Sequence, residues 1–133
     1  MNTPDETPAT DAATDEVSLE SLVGDWLTVP DLAERLDLPL SIVRRLIDDR
    51  EVLAHRIGER KVVAVPAAFL DEEGIIPSLA GTFTVLADGR MNDEEILRWL
   101  FTPDDTFPGG SAMGAVHAGF KTEVRRRAME EAL

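Results

Sequence analysis

Six of the 13 lysines and arginines of this chain lie in one short stretch, "LSIVRRLIDDREVLAHRIGERKVVAVP", Leu40 to Pro66, although the formal net charge is -13. These residue types at this spacing suit contact with a polyanion rather than bond-making. An arginine fork donates two hydrogen bonds to guanine or grips a phosphate, and a serine hydroxyl meets either a base or a phosphate. Ser41, Arg44 and Arg45 come first, and Arg56, Arg60 and Lys61 follow about a dozen residues later. Arg50 and His55 stand between them and are candidates for backbone contact.

Two kinds of element must carry these side chains. In "TVPDLAERLDLPLSIVRRLIDDR", Thr28 precedes Asp31 by three positions, a capping-box pattern, and Pro30 is tolerated in a first turn. Val29, Leu32, Ala33 and Leu36 then form one apolar face. The pattern breaks at "DLP" and restarts with Ile42, Val43, Leu46 and Ile47 on one side and Ser41, Arg44, Arg45, Asp48 and Asp49 on the other. Ala33, Leu38, Val43 and Leu46 fall at the intervals that a helix-turn-helix requires for close approach, turn filling and inner packing. Asp37 occupies the turn where glycine is common, and aspartate tolerates the left-handed conformation better than most residues. With Val43 and Leu46 inward, Ser41, Arg44 and Arg45 face outward at the end of the second helix that enters a major groove. The β-branched runs "VLAHRI" and "KVVAVP" around "GER" make a two-stranded hairpin with Gly58 at its turn, a wing carrying Arg56, Arg60 and Lys61.

The remainder divides into an acidic tail and more helices. Residues 1–17 are Thr, Asp, Glu, Pro and Ala with almost no large apolar side chain, the composition of a disordered tail. A short amphipathic helix from Ser18, "SLESLVGDWL", is expected to present Leu19, Leu22, Val23 and Trp26 to the core. "AAFL" suits a helical turn after the wing. Helices are expected over "PSLAGTFTVLADG", over "NDEEILRWLF" with Asn92 and Glu95 as its cap pair, and as one continuous segment from Ser111 to the end, with Met113, Val116, Phe120, Val124 and Ala128 along one apolar stripe. Gly114 and Gly119 would each cost that last helix roughly 1 kcal/mol relative to alanine. The fold class is therefore mainly α with a small β-hairpin: tail 1–17, winged helix-turn-helix 18–74 and helical C-terminal domain 75–133.

Charge follows the same division. Residues 1–27 carry -7, residues 28–70 are neutral and residues 71–133 carry -6. Double-stranded DNA would thus be met by a local cluster on an acidic molecule. If about five phosphates were neutralised, the log-log salt slope would be roughly -4 to -5.

Several function classes find no residues. There is no cysteine, which removes disulfides and thiolate metal sites. His55 and His117 lack a metal-spaced partner, and no glycine-rich phosphate loop or activated nucleophile is recognisable, so neither an enzyme, a metal nor a cofactor is expected. No apolar run reaches the ~20 residues of a membrane span, and the N-terminus lacks signal-peptide character, so a cytoplasmic protein without membrane association is expected. Trp99 and Phe101 fit a core stripe, and "EVRRR" near the C-terminus is better explained by the helix dipole than as a second DNA contact. A homodimer is left open: a lone winged helix usually gains specificity by pairing, yet no heptad stripe announces one.

"VPDLAERLDLPLSIVRRLI" with "IPSLAGTFTVLADGRMNDEEILRWLFTPD" resembles a small actinobacterial family of winged helix-turn-helix DNA-binding proteins, whose mycobacterial member is a substrate of the serine/threonine kinase PknL. The likeness covers roughly residues 28–133, and "VLAHRIGERKVVAVP" is also similar to excisionase-like and MerR-like wings. It implies a winged-helix domain followed by a helical C-terminal domain of unclear role, and the function expected is a DNA-binding transcriptional regulator with a Ser/Thr protein kinase as partner. The family's kinase site is a threonine in the N-terminal tail; here the candidates are Thr3, Thr7, Thr10 and Thr14, with Thr14 in "DAATDEV" foremost. The competing expectation is an interaction or adaptor protein that uses the winged helix as a scaffold for a kinase or a phosphothreonine-binding partner.

Overall fold

The computed structural model describes residues 17–133. The acidic segment before them, with Thr3, Thr7, Thr10 and Thr14, lies outside the described residues.

Helix α1 (Leu19–Val23) is capped by the Ser18 hydroxyl, which accepts from the Ser21 N–H at 3.2 Å. It ends at Gly24, whose φ of 84° only glycine adopts cheaply. The expected helix through Trp26 is therefore too long. Trp26–Thr28 form strand β1, where an extended chain of β-favouring residues finds a partner in the wing. Trp26 sits half-buried on that strand; its indole N–H donates to the Glu20 carbonyl at 3.1 Å and its ring lies 6.0 Å from that of His55.

Thr28 ends β1 and caps helix α2 (Val29–Leu36) through the expected reciprocal pair with Asp31, at 3.3 and 3.4 Å. Asp37 turns the chain in the left-handed region, φ 58° and ψ 49°, and the Leu38 N–H closes back on the Ala33 carbonyl at 2.9 Å. Helix α3 (Leu40–Asp48) follows Pro39. Leu32, Ala33 and Val43 are buried where the two helices meet. Ile47 and Leu46 are both half-buried, and of the two Ile47 packs against the core. Leu38, expected to fill the turn, is 37% exposed.

Strands β2 (His55–Ile57) and β3 (Val62–Pro66) make the wing. The sheet has three strands rather than two, in the order β1-β3-β2, all antiparallel, with Thr28 and His55 both opposite Ala64. A 3-10 turn at Ala67–Phe69 matches the expectation for "AAFL". It is followed by a small hairpin absent from the sequence reading, β4 (Leu70–Asp71) against β5 (Gly74–Ile75).

Helices α4 (Leu79–Asp88) and α5 (Asp93–Phe101) lie where the sequence placed them, the latter capped by Asn92 and Glu95 at 2.8 and 2.9 Å. The segment after Ser111 is two helices, not one. α6 (Ala112–His117) stops at Gly119, with φ 93°, and α7 (Lys121–Glu131) starts afresh. Phe120 falls in the break and is 47% exposed, so it leaves the expected apolar stripe, while Met113, Val124 and Ala128 are buried.

The buried side chains form one contiguous cluster from Leu19 to Ala128. Phe69 is its hinge, with ring centroids 5.3 Å from Phe83 and 6.0 Å from Phe101, so the wing and the C-terminal helices share a core. Among the described residues no helix is long and apolar enough to cross a membrane.

Candidate nucleic-acid interface

Burying Val43 and packing Ile47 against the core fixes the rotation of α3, and that rotation decides what its outer face shows. Ser41, Arg44 and Arg45 are all exposed within its first two turns. Arg44 borders a shallow hollow with Val29, Ile47, Asp48 and Val63, between the helix and the outer side of the wing. Neither Arg44 nor Arg45 forms an ion pair among the described residues.

The wing tip is the four-residue turn Gly58–Lys61, exposed throughout, with Gly58 at φ 73° and Lys61 at φ 56°. The Lys61 N–H closes it on the Gly58 carbonyl at 3.2 Å. Arg56 is exposed, and its guanidinium donates to the Lys61 carbonyl at 3.2 Å, which holds the cation along the wing. Arg60 and Lys61 are exposed and without ion pairs among the described residues. The wing tip also receives an acid: Glu20 of α1 accepts from the Gly58 N–H at 3.2 Å.

Two of the candidate residues are placed differently from the rest. His55 is half-buried against Trp26, which makes it part of the wing's base. Arg50 follows α3 in the left-handed region, φ 61°, and its guanidinium makes a two-point ion pair with Asp93 of α5, at 2.8 and 3.2 Å. Sequence spacing gives no sign of that contact, because 43 residues separate the partners.

The arginines of "EVRRR" contrast with those of α3. Arg125 donates to the Ser78 carbonyl and the Thr82 hydroxyl at 2.9 and 3.1 Å. Arg126 pairs with Glu123 at 2.7 Å and with Glu130, so its own pKa is raised and that of Glu123 is lowered, in each case chiefly by their mutual hydrogen bond. Arg127 lies over the Phe107 ring at 4.0 Å and reaches Asp104 and Thr106 at 3.4 and 2.9 Å. Each of the three thus has protein partners. His117 places Nε2 at 2.7 Å from the Ala68 carbonyl, and among the described residues no His/Asp/Glu group could hold a metal ion.

Residues 12–70 match the family described as "DNA-binding protein Rv2175c, wHTH domain", and residues 76–132 match the "Rv2175c C-terminal domain of unknown function". The chain belongs to the Rv2175c family. It is 35% identical over 113 residues to the DNA-binding protein Rv2175c of Mycobacterium tuberculosis (strain ATCC 25618 / H37Rv), a match covering 75% of each chain. It also superposes on the NMR structure of Rv2175c with a TM-score of 0.74 and 31% identity, over 82% of each chain. The family thus confirms a winged helix-turn-helix followed by a helical C-terminal region.

Proposed function

We propose that this chain is a DNA-binding protein whose 18–74 unit places the first turns of α3 in a major groove and the β2–β3 wing on the neighbouring phosphates. One observation carries the reading: Arg44 and Arg45 stand exposed and unpaired, among the described residues, midway along the second helix of a winged helix-turn-helix. The description of the M. tuberculosis relative as a DNA-binding protein supports it. In this reading Ser41, Arg44 and Arg45 read or grip the groove, and Arg56, Arg60 and Lys61 supply backbone contacts from the wing. Arg50 and His55 are secondary, since one is ion-paired and the other packs on Trp26.

Transcriptional regulation is the use proposed for such a site, in a cytoplasmic protein. A Ser/Thr protein kinase acting on Thr14, or on Thr10, Thr7 or Thr3, would add about -1.5 to -2 charges per site. That change opposes an already acidic molecule's approach to DNA, so phosphorylation weakens binding.

The test compares wild type with Arg44→Ala/Arg45→Ala on a labelled random-sequence duplex. The double variant binds roughly 10- to 100-fold more weakly at ~0.1 M salt, and its salt slope is shallower by up to about 1.8. No binding by either protein would favour the adaptor reading instead, and equal binding by both would remove Arg44 and Arg45 from the interface.

A further inference from the structure

Arg50 occupies a position that asks for glycine. The chain leaves α3 with the Arg50 N–H on the Ile47 carbonyl at 3.1 Å and the Glu51 N–H on the Leu46 carbonyl at 2.9 Å, and Arg50 between them has φ 61°. This is the left-handed helix exit at which a Cβ is disfavoured. An arginine there keeps its side chain at a conformational cost, so the side chain's contact is the feature to explain. That contact is Asp93, the first residue of α5, which takes two guanidinium nitrogens at 2.8 and 3.2 Å.

The pair is a poor structural staple. Its side chains are 44% and 48% exposed, so water and salt compete with it. Its geometry matches what the same arginine would offer a phosphate: a planar fork donating to two anionic oxygens. Arg50 also lies just past the end of the short helix whose middle carries Arg44 and Arg45. Glu94, the next residue along α5, points elsewhere and pairs with Arg98 at 3.3 Å.

We propose that Asp93 stands in for a DNA phosphate. By holding Arg50, the C-terminal unit withholds one cation from the DNA face, and a duplex engages Arg50 only by displacing this carboxylate. This gives the C-terminal helices a role in setting affinity, and it rests on the DNA-binding reading above.

The test uses the full chain and a labelled random-sequence duplex, titrated at several salt concentrations between about 50 and 200 mM, a range over which counterion release is read directly. Asp93→Asn frees Arg50 for one further phosphate; the salt slope steepens by about 0.9 and affinity rises about eightfold at ~0.1 M salt. Glu94→Gln makes the same change in net charge one residue away and leaves the slope unchanged. Arg50→Gln in the Asp93→Asn background removes the gain. Asp93→Ser, with a side chain suited to a helix start, repeats the measurement should Asp93→Asn fail a circular-dichroism check of folding.

Three results would overturn the proposal: an unchanged slope in both folded Asp93 variants, an equal gain in Glu94→Gln, or a gain that survives loss of Arg50. Wild type that fails to bind even at ~50 mM salt would remove the DNA-binding reading and this proposal together. Wild type that binds while the Asp93 variants do not differ from it would remove this one alone.

Discussion

Gly114→Ala is a substitution for which local and tertiary physics disagree in sign. Gly114 lies inside α6, where alanine is favoured over glycine by about 1 kcal/mol. On local grounds the variant is therefore stabilised. In the structure, however, a Cβ at 114 would run into the carbonyl of Gly109, with the carbonyl carbon at 2.8 Å, and a Cβ at 109 would come within 2.5 Å of the Gly114 carbonyl oxygen. Both surfaces are backbone, so no side chain can swing aside. The Pro108–Gly110 turn that supplies the obstacle is itself held, since Gly109 has φ 84° and the Asp104 N–H donates to the Gly110 carbonyl at 2.8 Å. Forcing a methyl into a packed contact costs typically 1–3 kcal/mol, and more where backbone must shift. Because backbone must shift here, the cost lies toward the upper end, about 2–3 kcal/mol; set against the propensity gain, the net expectation is a loss of about 1–2 kcal/mol, or a fall in Tm of roughly 4–8 °C for a domain near this size. Urea denaturation followed by circular dichroism reads this as a lower midpoint with an unchanged m-value. Gly110→Ala is the companion variant: its Cβ would meet nothing within 4 Å, so only the strain of its φ of 88° is felt. A Gly114→Ala protein as stable as wild type, or more so, would refute the close approach of α6 to the turn.

Two further outcomes concern other elements. Asp37→Gly relieves the left-handed conformation of the helix-turn-helix turn at φ 58° and ψ 49°; part of that relief is offset by the greater freedom of an unfolded glycine, so stability should rise by no more than about 1 kcal/mol, with DNA affinity unchanged, as thermal melts and duplex titration would show. The Asp104 carboxyl is held below its ordinary value chiefly by the Thr106 hydroxyl, then by the Thr106 backbone N–H and by Arg127, with burial opposing them. A depressed folded value means that its contribution is present above the unfolded pKa, about 3.9, and is lost as pH falls through the lower folded one. The Tm gap between wild type and Asp104→Asn should therefore be open at neutral pH and close below about pH 4; a gap that persists under acid would show that the side chain matters for shape rather than charge.

The order of helices and the place of the wing were legible in the amino-acid sequence because their signals are local. Thr28 with Asp31 and Asn92 with Glu95 act within one turn of chain, and Gly58 permits its turn without help from distant residues. The same locality explains the errors. Helical spacing carried the first helix through Trp26, whereas Gly24 ends it and Thr28 finds its β partner at Ala64. One stripe joined Ser111 to the C-terminus, yet Gly119 breaks it, because packing two short helices against α5 and α4 buries Met113 and Val124 better than one straight rod could.

For the interface, the sequence by itself determined which residue types gather between Leu40 and Pro66 and that they oppose the charge of the whole chain. Only the tertiary structure decided which cations are available. Burial of Val43, with Ile47 packed on the core, turns Arg44 and Arg45 outward, while Arg50 is claimed by Asp93 and the run Arg125–Arg127 by partners of its own. The physical reason is that charge is written in composition, but whether a charge is free depends on which distant carboxylate or carbonyl the folded chain brings within hydrogen-bond reach.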